Sequence, residues 1–432
     1  MMAPVPTTET PREATTAPVP TTAGPPSAAR RNALGALLAV AVALAAVNLR
    51  PAVTSLGPLL GRVRGDLHMS PTVAGLLAAV PSVCFAVFGF AAPALARRFG
   101  PTLVVAAGTG AIAAGVAARS FAGSTGVFLA LTAVALAGVA VANVLIPVVI
   151  KRYFPDRVGP MIGLYSMALS AGTALAAAVT VPLTSAMGGG WRLGLGIWAL
   201  PAAVALVVWL VTVVLRRDGR GPATGAAGAA AGGQRLPIVR SRTAWALALF
   251  FGCQATGAYS TMGWISQIYQ DAGVSASRSG LLLAVIMVIG VPVSLVLPNL
   301  AVRRGDQRIF VVVLAACGIA GYLGLMLAPA GGAWLWALLV GLSNCAFPLV
   351  LTMIGLRART SGGVAQLSAF VQGVGYLLSI PGPILVGTLY QSTGGWLLPL
   401  AFMAALLVPQ LLIGLRAARN RHIEDEVTPA TA

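Results

Sequence analysis

Residues 70–80 read SPTVAGLLAAV, and residues 275–285 read SASRSGLLLAV, which is identical at six of eleven positions. The same offset of 205 residues relates PALARRFG at 93–100 to PNLAVRRG at 298–305, with five of eight positions identical. It also relates the Gly-Gly-Trp sequences at 189–191 and 394–396. Three matches at one offset indicate that the second half of the chain duplicates the first. A repeat of this length is too long for a solenoid.

The composition places the chain in a membrane. Hydrophobic residues make up 58% of the sequence, charged residues 9%, and the mean hydropathy is +0.89. Twelve apolar runs are each long enough to cross a hydrocarbon layer of about 30 Å. They lie at about 33–60, 72–95, 102–120, 124–150, 159–185, 191–215, 244–270, 276–300, 307–328, 332–356, 364–390 and 395–415. We therefore expect an all-α membrane protein of twelve transmembrane helices, built as two parallel six-helix repeats.

The net charge of +18 reflects topology and does not indicate a nucleic-acid partner. If the N-terminus is cytoplasmic, the inner segments hold 22 of the 28 Lys and Arg residues. The outer loops and helix ends hold five: Arg62, Arg64, Arg119, Arg192 and Arg278. This asymmetry follows the positive-inside rule, so both termini should be cytoplasmic in a multi-pass plasma-membrane protein.

The segments outside the spans differ in composition from the spans. Residues 1–31 are rich in Pro, Thr and Ala and should form a disordered cytoplasmic tail. Residues 216–243 should be a cytoplasmic linker between bundles at 32–215 and 244–415, and 416–432 a second tail. The four cysteines have no metal-ligand spacing, so we expect no metal and no cofactor. We expect a monomer in the lipid bilayer, acting on a small molecule.

Two six-span halves that cross in the same direction resemble the major facilitator superfamily. The basic loops at 97–98 and 303–304 occupy the place of that superfamily's signature between its second and third, and eighth and ninth, helices. The signature usually reads G-x-L-A-D-R-x-G-R. Here Pro93 replaces the first glycine and Arg97 the aspartate, and Val302 stands at the aspartate position of the second copy. The gating salt bridge of better-known members therefore does not carry over.

A narrower resemblance rests on NLRPAVTSLGPLL at 48–60, IPVVIKRYFPDR at 146–157, GLYSMAL at 163–169 and AFVQGVGYLL at 369–378. Together these sequences resemble the cyanate and 2-nitroimidazole branch of the superfamily, the CynX/NimT family, over about residues 32–415. The resemblance implies a plasma-membrane transporter of a small anion or small polar heterocycle. It does not identify which of these is the substrate.

Arg50 is the charged residue that lies deepest in a predicted span. A guanidinium at that depth costs at least ~2.5–3.5 kcal/mol, so it needs a partner or a function. Pro51 and Pro58 should bend the helix around it. We interpret Arg50 as an anion-binding residue in a transport path. The alternative is an arginine neutralised by helix-end carbonyls, or one that reaches the interface.

Other polar residues in the spans complete the predicted site. Their spacings would let them face one cavity, although Asn and Gln also join membrane helices to each other. The predicted substrate-binding residues are Arg50, Asn48, Gln254, Tyr259, Gln372, Tyr376, Asn143 and Asn344.

Rival functions differ in the residues that they require. A membrane enzyme needs acids, bases or metal ligands at reachable depth, and the spans offer none, so we expect no catalysis. A proton antiporter of cationic drugs should carry a buried acid. A receptor or scaffold would leave the duplication around one buried arginine unexplained. Because the spans contain no Asp, Glu or His, we expect facilitated movement or a proton that travels with the substrate. Asp271, at the outer end of the seventh span, is the carboxylate that could instead carry the proton.

Overall fold

The computed structural model describes residues 28–215 and 237–427, and the regular structure of these residues is helical. The predictions for residues 1–27, 216–236 and 428–432 lie outside the described residues. The helices of the first half are α1 (Ala28–Asn48), α2 (Pro51–Thr54), α3 (Leu56–Asp66), α4 (Pro71–Phe99), α5 (Pro101–Arg119), α6 (Thr125–Tyr153), α7 (Val158–Ala186), α8 (Trp191–Gly196) and α9 (Ala199–Leu215).

The second half repeats this arrangement after a single turn of 3-10 helix at Ile238–Arg240. Its helices are α10 (Arg242–Asp271), α11 (Ala276–Val288), α12 (Gly290–Arg303), α13 (Arg308–Leu327), α14 (Ala333–Asn344), α15 (Ala346–Leu356), α16 (Ser361–Ser379), α17 (Pro381–Thr393), α18 (Leu397–Ala417) and α19 (Ile423–Val427). Several of the predicted spans are thus divided into two or three helices.

Eleven helical segments of the described chain are long and apolar enough to cross a membrane. They match eleven of the twelve predicted spans. The remaining span is α10, whose 30 residues are less apolar because they include Gln254, Tyr259 and several hydroxyl side chains. The span count is even, so the two described ends of the chain lie on the same face, which we call the terminal face. The opposite face carries the turns around 67–70, 187–190, 272–275 and 394–396, and we call it the closed face.

Local sequence signals repeat with the duplication. The hydroxyl oxygens of Ser70 and Ser275 accept hydrogen bonds from the backbone N–H groups three residues later and so begin α4 and α11. Gly189 and Gly394 have φ values of 81° and 66°, which favour glycine at these two turns. Both pairs are separated by the same 205 residues as the sequence matches. The duplicated sequence therefore specifies the same local structure twice.

The duplication also includes a tryptophan–aspartate hydrogen bond on the closed face of each half. The indole of Trp191 donates to the Asp66 carboxylate at 3.0 Å, and the indole of Trp396 donates to the Asp271 carboxylate at 2.8 Å. The two aspartates are again 205 residues apart, and each ends a helix. Asp271 is thus the structural counterpart of Asp66. It accepts further hydrogen bonds from Gln267 and from Tyr390.

The two halves meet closely near the closed face. A Cβ added to Gly75 of α4 would lie 2.5 Å from the carbonyl oxygen of Pro383 in α17, and one added to Gly280 of α11 would lie 2.6 Å from that of Ala177 in α7. These glycines are also repeat-related. Hydrogen bonds from Thr72 to Gln391 and from Gln270 to the Pro58 carbonyl join the halves on the same side. Glycine allows this contact because a side chain would force the helices apart.

Helices extend slightly into two of the predicted tails. The first helix begins at Ala28, inside the predicted tail at 1–31, and α19 occupies part of the predicted tail at 416–432. α19 is held by its acidic residues. The Glu424 carboxylate accepts hydrogen bonds from the backbone N–H groups of Arg359 and Thr360. The Glu426 carboxylate accepts hydrogen bonds from the side-chain hydroxyls of Ser241 and Thr243. Composition alone could not reveal these contacts because both partners are distant in sequence.

Candidate functional site: a central cavity around Arg50

Span 1 is broken beside its arginine. α1 ends at Asn48, and Arg50 is the N-cap of the four-residue helix α2. Pro51 and Pro58 carry no N–H group, so the carbonyls four residues before each of them lack the usual helical donor. The structure shows an interruption of span 1 at residues 49–50, directly before Pro51, and a second at Ser55. The first interruption places Arg50 at a helix end in the middle of the bundle.

A cavity lies between the two halves at the level of this break. Its volume is about 760 Å³, counting the space that is open to solvent. Both halves contribute to its wall, span 1 and α7 from the first and α10, α11, α14, α15 and α16 from the second. The lining residues are Arg50, Leu169, Ser170, Thr173, Phe251, Gln254, Ala255, Ala258, Tyr259, Met262, Met287, Asn344, Phe347 and Tyr376.

The predicted site residues divide into two groups. Arg50, Gln254, Tyr259, Asn344 and Tyr376 line the cavity. The other three are not among the described lining residues and make contacts within the bundles. Asn48 donates to the carbonyls of Leu44 and Pro201, Gln372 donates to the Ser368 hydroxyl, and Asn143 accepts from the Tyr165 hydroxyl.

Tyrosines surround the guanidinium of Arg50. Tyr259 and Tyr376 lie close enough to Arg50 to interact with it electrostatically, and their ring centroids are 6.4 Å apart. Tyr165 lies close enough to interact with Arg50 electrostatically. The Tyr376 ring stacks on Phe85 at 5.0 Å between centroids and meets Phe251 edge-on at 5.1 Å. These contacts hold the Tyr376 ring between Phe85 of the first half and Phe251 of the second.

Within residues 28–215 and 237–427, no carboxylate forms a salt bridge with Arg50. The seven described acidic residues lie at helix ends or in the short segments between helices: Asp66, Asp156, Asp271, Asp306, Glu424, Asp425 and Glu426. The cavity lining therefore has one formal charge, and it is positive. Hydroxyl and amide groups supply the remaining polarity.

Sequence reasoning missed part of this site. Phe251, Met287 and Phe347 are lining residues that are indistinguishable by type from core residues of the same helices. Arg119 is the last residue of α5, as the predicted helix end requires, but the sequence did not predict that its side chain is completely buried. The hydrogen bond from Arg119 to the Ala52 carbonyl joins residues that are 67 positions apart, and no local pattern reveals it.

Comparisons with known proteins agree with the fold. The family model of the Major Facilitator Superfamily matches residues 36–380. A solved structure of a bacterial homolog to the human lysosomal transporter Spinster superimposes with a TM-score of 0.71 at 16% identity, covering 93% of this chain and 99% of that one. At this identity the likeness shows the fold alone.

Two curated relatives from Escherichia coli (strain K12) align along nearly the whole chain. The 2-nitroimidazole transporter is 33% identical over 388 residues, which cover 90% of this chain and 96% of that protein. The cyanate transport protein CynX is 31% identical over 380 residues, which cover 88% and 96%. The twelve-span duplicated fold, the central cavity and these relatives lead to one conclusion. The chain belongs to the major facilitator superfamily, as a multi-pass membrane transporter of small solutes related to CynX and the 2-nitroimidazole transporter.

Proposed function

We propose that the chain transports a small anion or small polar compound, similar to cyanate or a nitroimidazole, by alternating access around a central site that contains Arg50. The observation that carries the proposal is a guanidinium that faces the cavity without a carboxylate partner among the described residues. A charge at this depth is costly. An anion in the cavity offsets that cost, so the site favours an anionic substrate over a cation.

Each group around Arg50 has a role in this proposal. The planar guanidinium donates two parallel hydrogen bonds to a charged or partly charged group. The hydroxyls of Tyr259 and Tyr376 donate to the same end of the substrate. The amides of Gln254 and Asn344 bind its other polar atoms. The rings of Phe251 and Phe347 exclude water and suit a planar or linear molecule.

The packing of the halves supports alternating access. The halves touch at backbone distance near Gly75 and Gly280, on the closed face, and the cavity lies beyond this contact. We propose that the terminal face is cytoplasmic, because it carries the excess of arginines. The described conformation is then closed to the outside. Rocking of the two halves would open the closed face and expose the site to the outside. One chain forms the whole cavity, so we propose that the monomer is the working unit.

Counterflow in proteoliposomes tests the proposal. Vesicles are preloaded with unlabelled cyanate or 2-nitroimidazole, and uptake of the labelled compound is measured with and without competitors. We expect uptake of at least one of the two, with competition by thiocyanate and none by tetraphenylphosphonium. Proton-driven uptake of tetraphenylphosphonium that cyanate does not inhibit would instead favour a cationic-drug antiporter and would refute the proposal.

A further inference from the structure

A second arginine, Arg119, is buried beside the break that carries Arg50. It is the last residue of α5 and is 0% exposed. Its Nη1 atom donates to the carbonyl oxygen of Ala52 at 2.8 Å, and its guanidinium lies 5.9 Å from the centroid of the Phe128 ring. Its Nε and Nη2 atoms have no hydrogen-bond partner among the described residues. A buried charge that makes so few contacts is costly, so its one hydrogen bond calls for an explanation.

The acceptor of that hydrogen bond lies in α2, two residues after Arg50. α2 has four residues, too few to be stable without tertiary contacts. Pro51 and Pro58 remove the donors that would otherwise continue the helical ladder through this region. The direction in which Arg50 points therefore depends on contacts from neighbouring helices.

Two such contacts bracket Arg50. On one side, two residues earlier, the Asn48 side chain donates to the Pro201 carbonyl of α9 at 3.1 Å. On the other side, two residues later, the Ala52 carbonyl accepts from Arg119 of α5. Asn48 and Arg119 thus tie the broken segment to two different helices of the same bundle. None of the four residues that form these two bonds is among the described lining residues of the cavity.

We propose that Arg119, with Asn48, is a positioning residue that sets the orientation of Arg50 toward the substrate. This inference rests on the proposed function of Arg50. Arg119 does not touch the substrate. Its charge strengthens the bond to the Ala52 carbonyl because hydrogen bonds from charged donors are stronger than neutral ones. Loss of the bond lets α2 rotate and moves the Arg50 guanidinium away from its productive place.

The test compares Arg119→Met, which removes the donor, with Arg119→Lys, which keeps the donor and the charge. Arg357→Met is the matched control, because Arg357 is also buried but lies at the terminal face of the other half. Counterflow of labelled cyanate should show KM raised about tenfold in Arg119→Met, the scale typical of lost supporting contacts. Arg119→Lys should restore most of the affinity, and Arg357→Met should leave KM unchanged. In an Arg50→Ala background, Arg119→Met should add no further effect.

Hydrogen exchange provides a readout that needs no substrate. Amides of residues 49–56 should exchange faster in Arg119→Met than in the wild type, and Arg357→Met should not change them. Asn48→Ala should act in the same direction, which keeps the test decisive if Arg119→Met does not fold. Unchanged exchange at 49–56 in both folded variants would overturn the inference. Failure of the wild type to transport either cyanate or 2-nitroimidazole would count against the proposed function, and the exchange result would still decide the role of Arg119.

Discussion

The glycines at the contact between the halves make a quantitative prediction about the conformational equilibrium. Alanine at Gly75 would place its Cβ 2.5 Å from the Pro383 carbonyl oxygen, and alanine at Gly280 would place its Cβ 2.6 Å from that of Ala177. An ordinary C···O contact is about 3.3 Å, so each substitution requires the helices to separate by roughly 0.8 Å. Both neighbours are backbone atoms, which cannot move away as a flexible side chain would.

The separation should weaken closure of the closed face without damaging the helices themselves. Overpacking of this size costs ~1–3 kcal/mol. Since the contact exists in the described conformation and is absent when the closed face opens, the cost shifts the equilibrium toward the open form by about 5- to 150-fold. The two substitutions act at repeat-related positions, so their effects should be similar.

Cysteine labelling of the purified protein measures this shift. The four native cysteines are replaced, and a reporter cysteine is placed at Leu60 of α3, which is 2% exposed in the described conformation. We expect Gly75→Ala and Gly280→Ala to raise the rate at which a polar thiol reagent modifies the reporter. Gly89→Ala is the control, because Gly89 lies in the same helix as Gly75 with nothing within 4 Å of an added Cβ. A labelling rate that stays at the wild-type value in both variants would refute the reasoning.

Three further predictions concern topology, coupling and stability. A cysteine at Gly225, which lies outside the described residues, should resist an impermeant reagent in intact cells until the membrane is permeabilised, and ready labelling from outside would overturn the topology. Asp271→Asn should leave pH-gradient-driven accumulation of substrate intact. Asp271 accepts a hydrogen bond from Trp396 just as Asp66 does from Trp191, which is a structural role. Loss of accumulation with intact counterflow would show a proton site on the protein. Burial alone raises the pKa of the Glu426 carboxyl, but hydrogen bonds from Ser241 and Thr243 together lower it below the ordinary value. Because its pKa is lower in the folded state, ionised Glu426 stabilises the folded protein fully above the unfolded pKa of ~4.3, and this stabilisation is lost as the pH falls through the folded pKa. Glu426→Gln should therefore lower Tm at neutral pH and make the fall of Tm in acid less steep.

Much of the fold follows from the sequence, because the apolar runs of membrane length and the 205-residue repeat can both be recognised without knowledge of tertiary contacts. The serines at 70 and 275 and the glycines at 189 and 394 specify the same caps and turns in each half. The seventh span, α10, is less apolar than the others because it supplies Gln254 and Tyr259 to the cavity. Part of its polarity therefore comes from residues that line the cavity.

The candidate site was predicted in part. Arg50 stands out in the sequence because a charge in an apolar run is rare and costly. The amides were harder to assign, since an Asn that lines a cavity and an Asn that joins two helices look alike in one sequence. Asn344 lines the cavity, whereas Asn48 binds the Pro201 carbonyl. Only the packing of α9 against α1 separates these two cases.

Substrate binding by Arg50 variants tests the central claim most directly. Binding of labelled cyanate and 2-nitroimidazole is measured for the wild type, Arg50→Ala and Arg50→Lys, with size-exclusion profiles to confirm folding. Hydrogen bonds to charged groups contribute ~1.5–3 kcal/mol, so Arg50→Ala should weaken binding by about 10- to 150-fold. Arg50→Lys should retain part of the affinity, since it keeps the charge but loses the planar two-pronged donor. Unchanged binding and transport in a folded Arg50→Ala protein would contradict the account and leave Arg50 as a structural arginine.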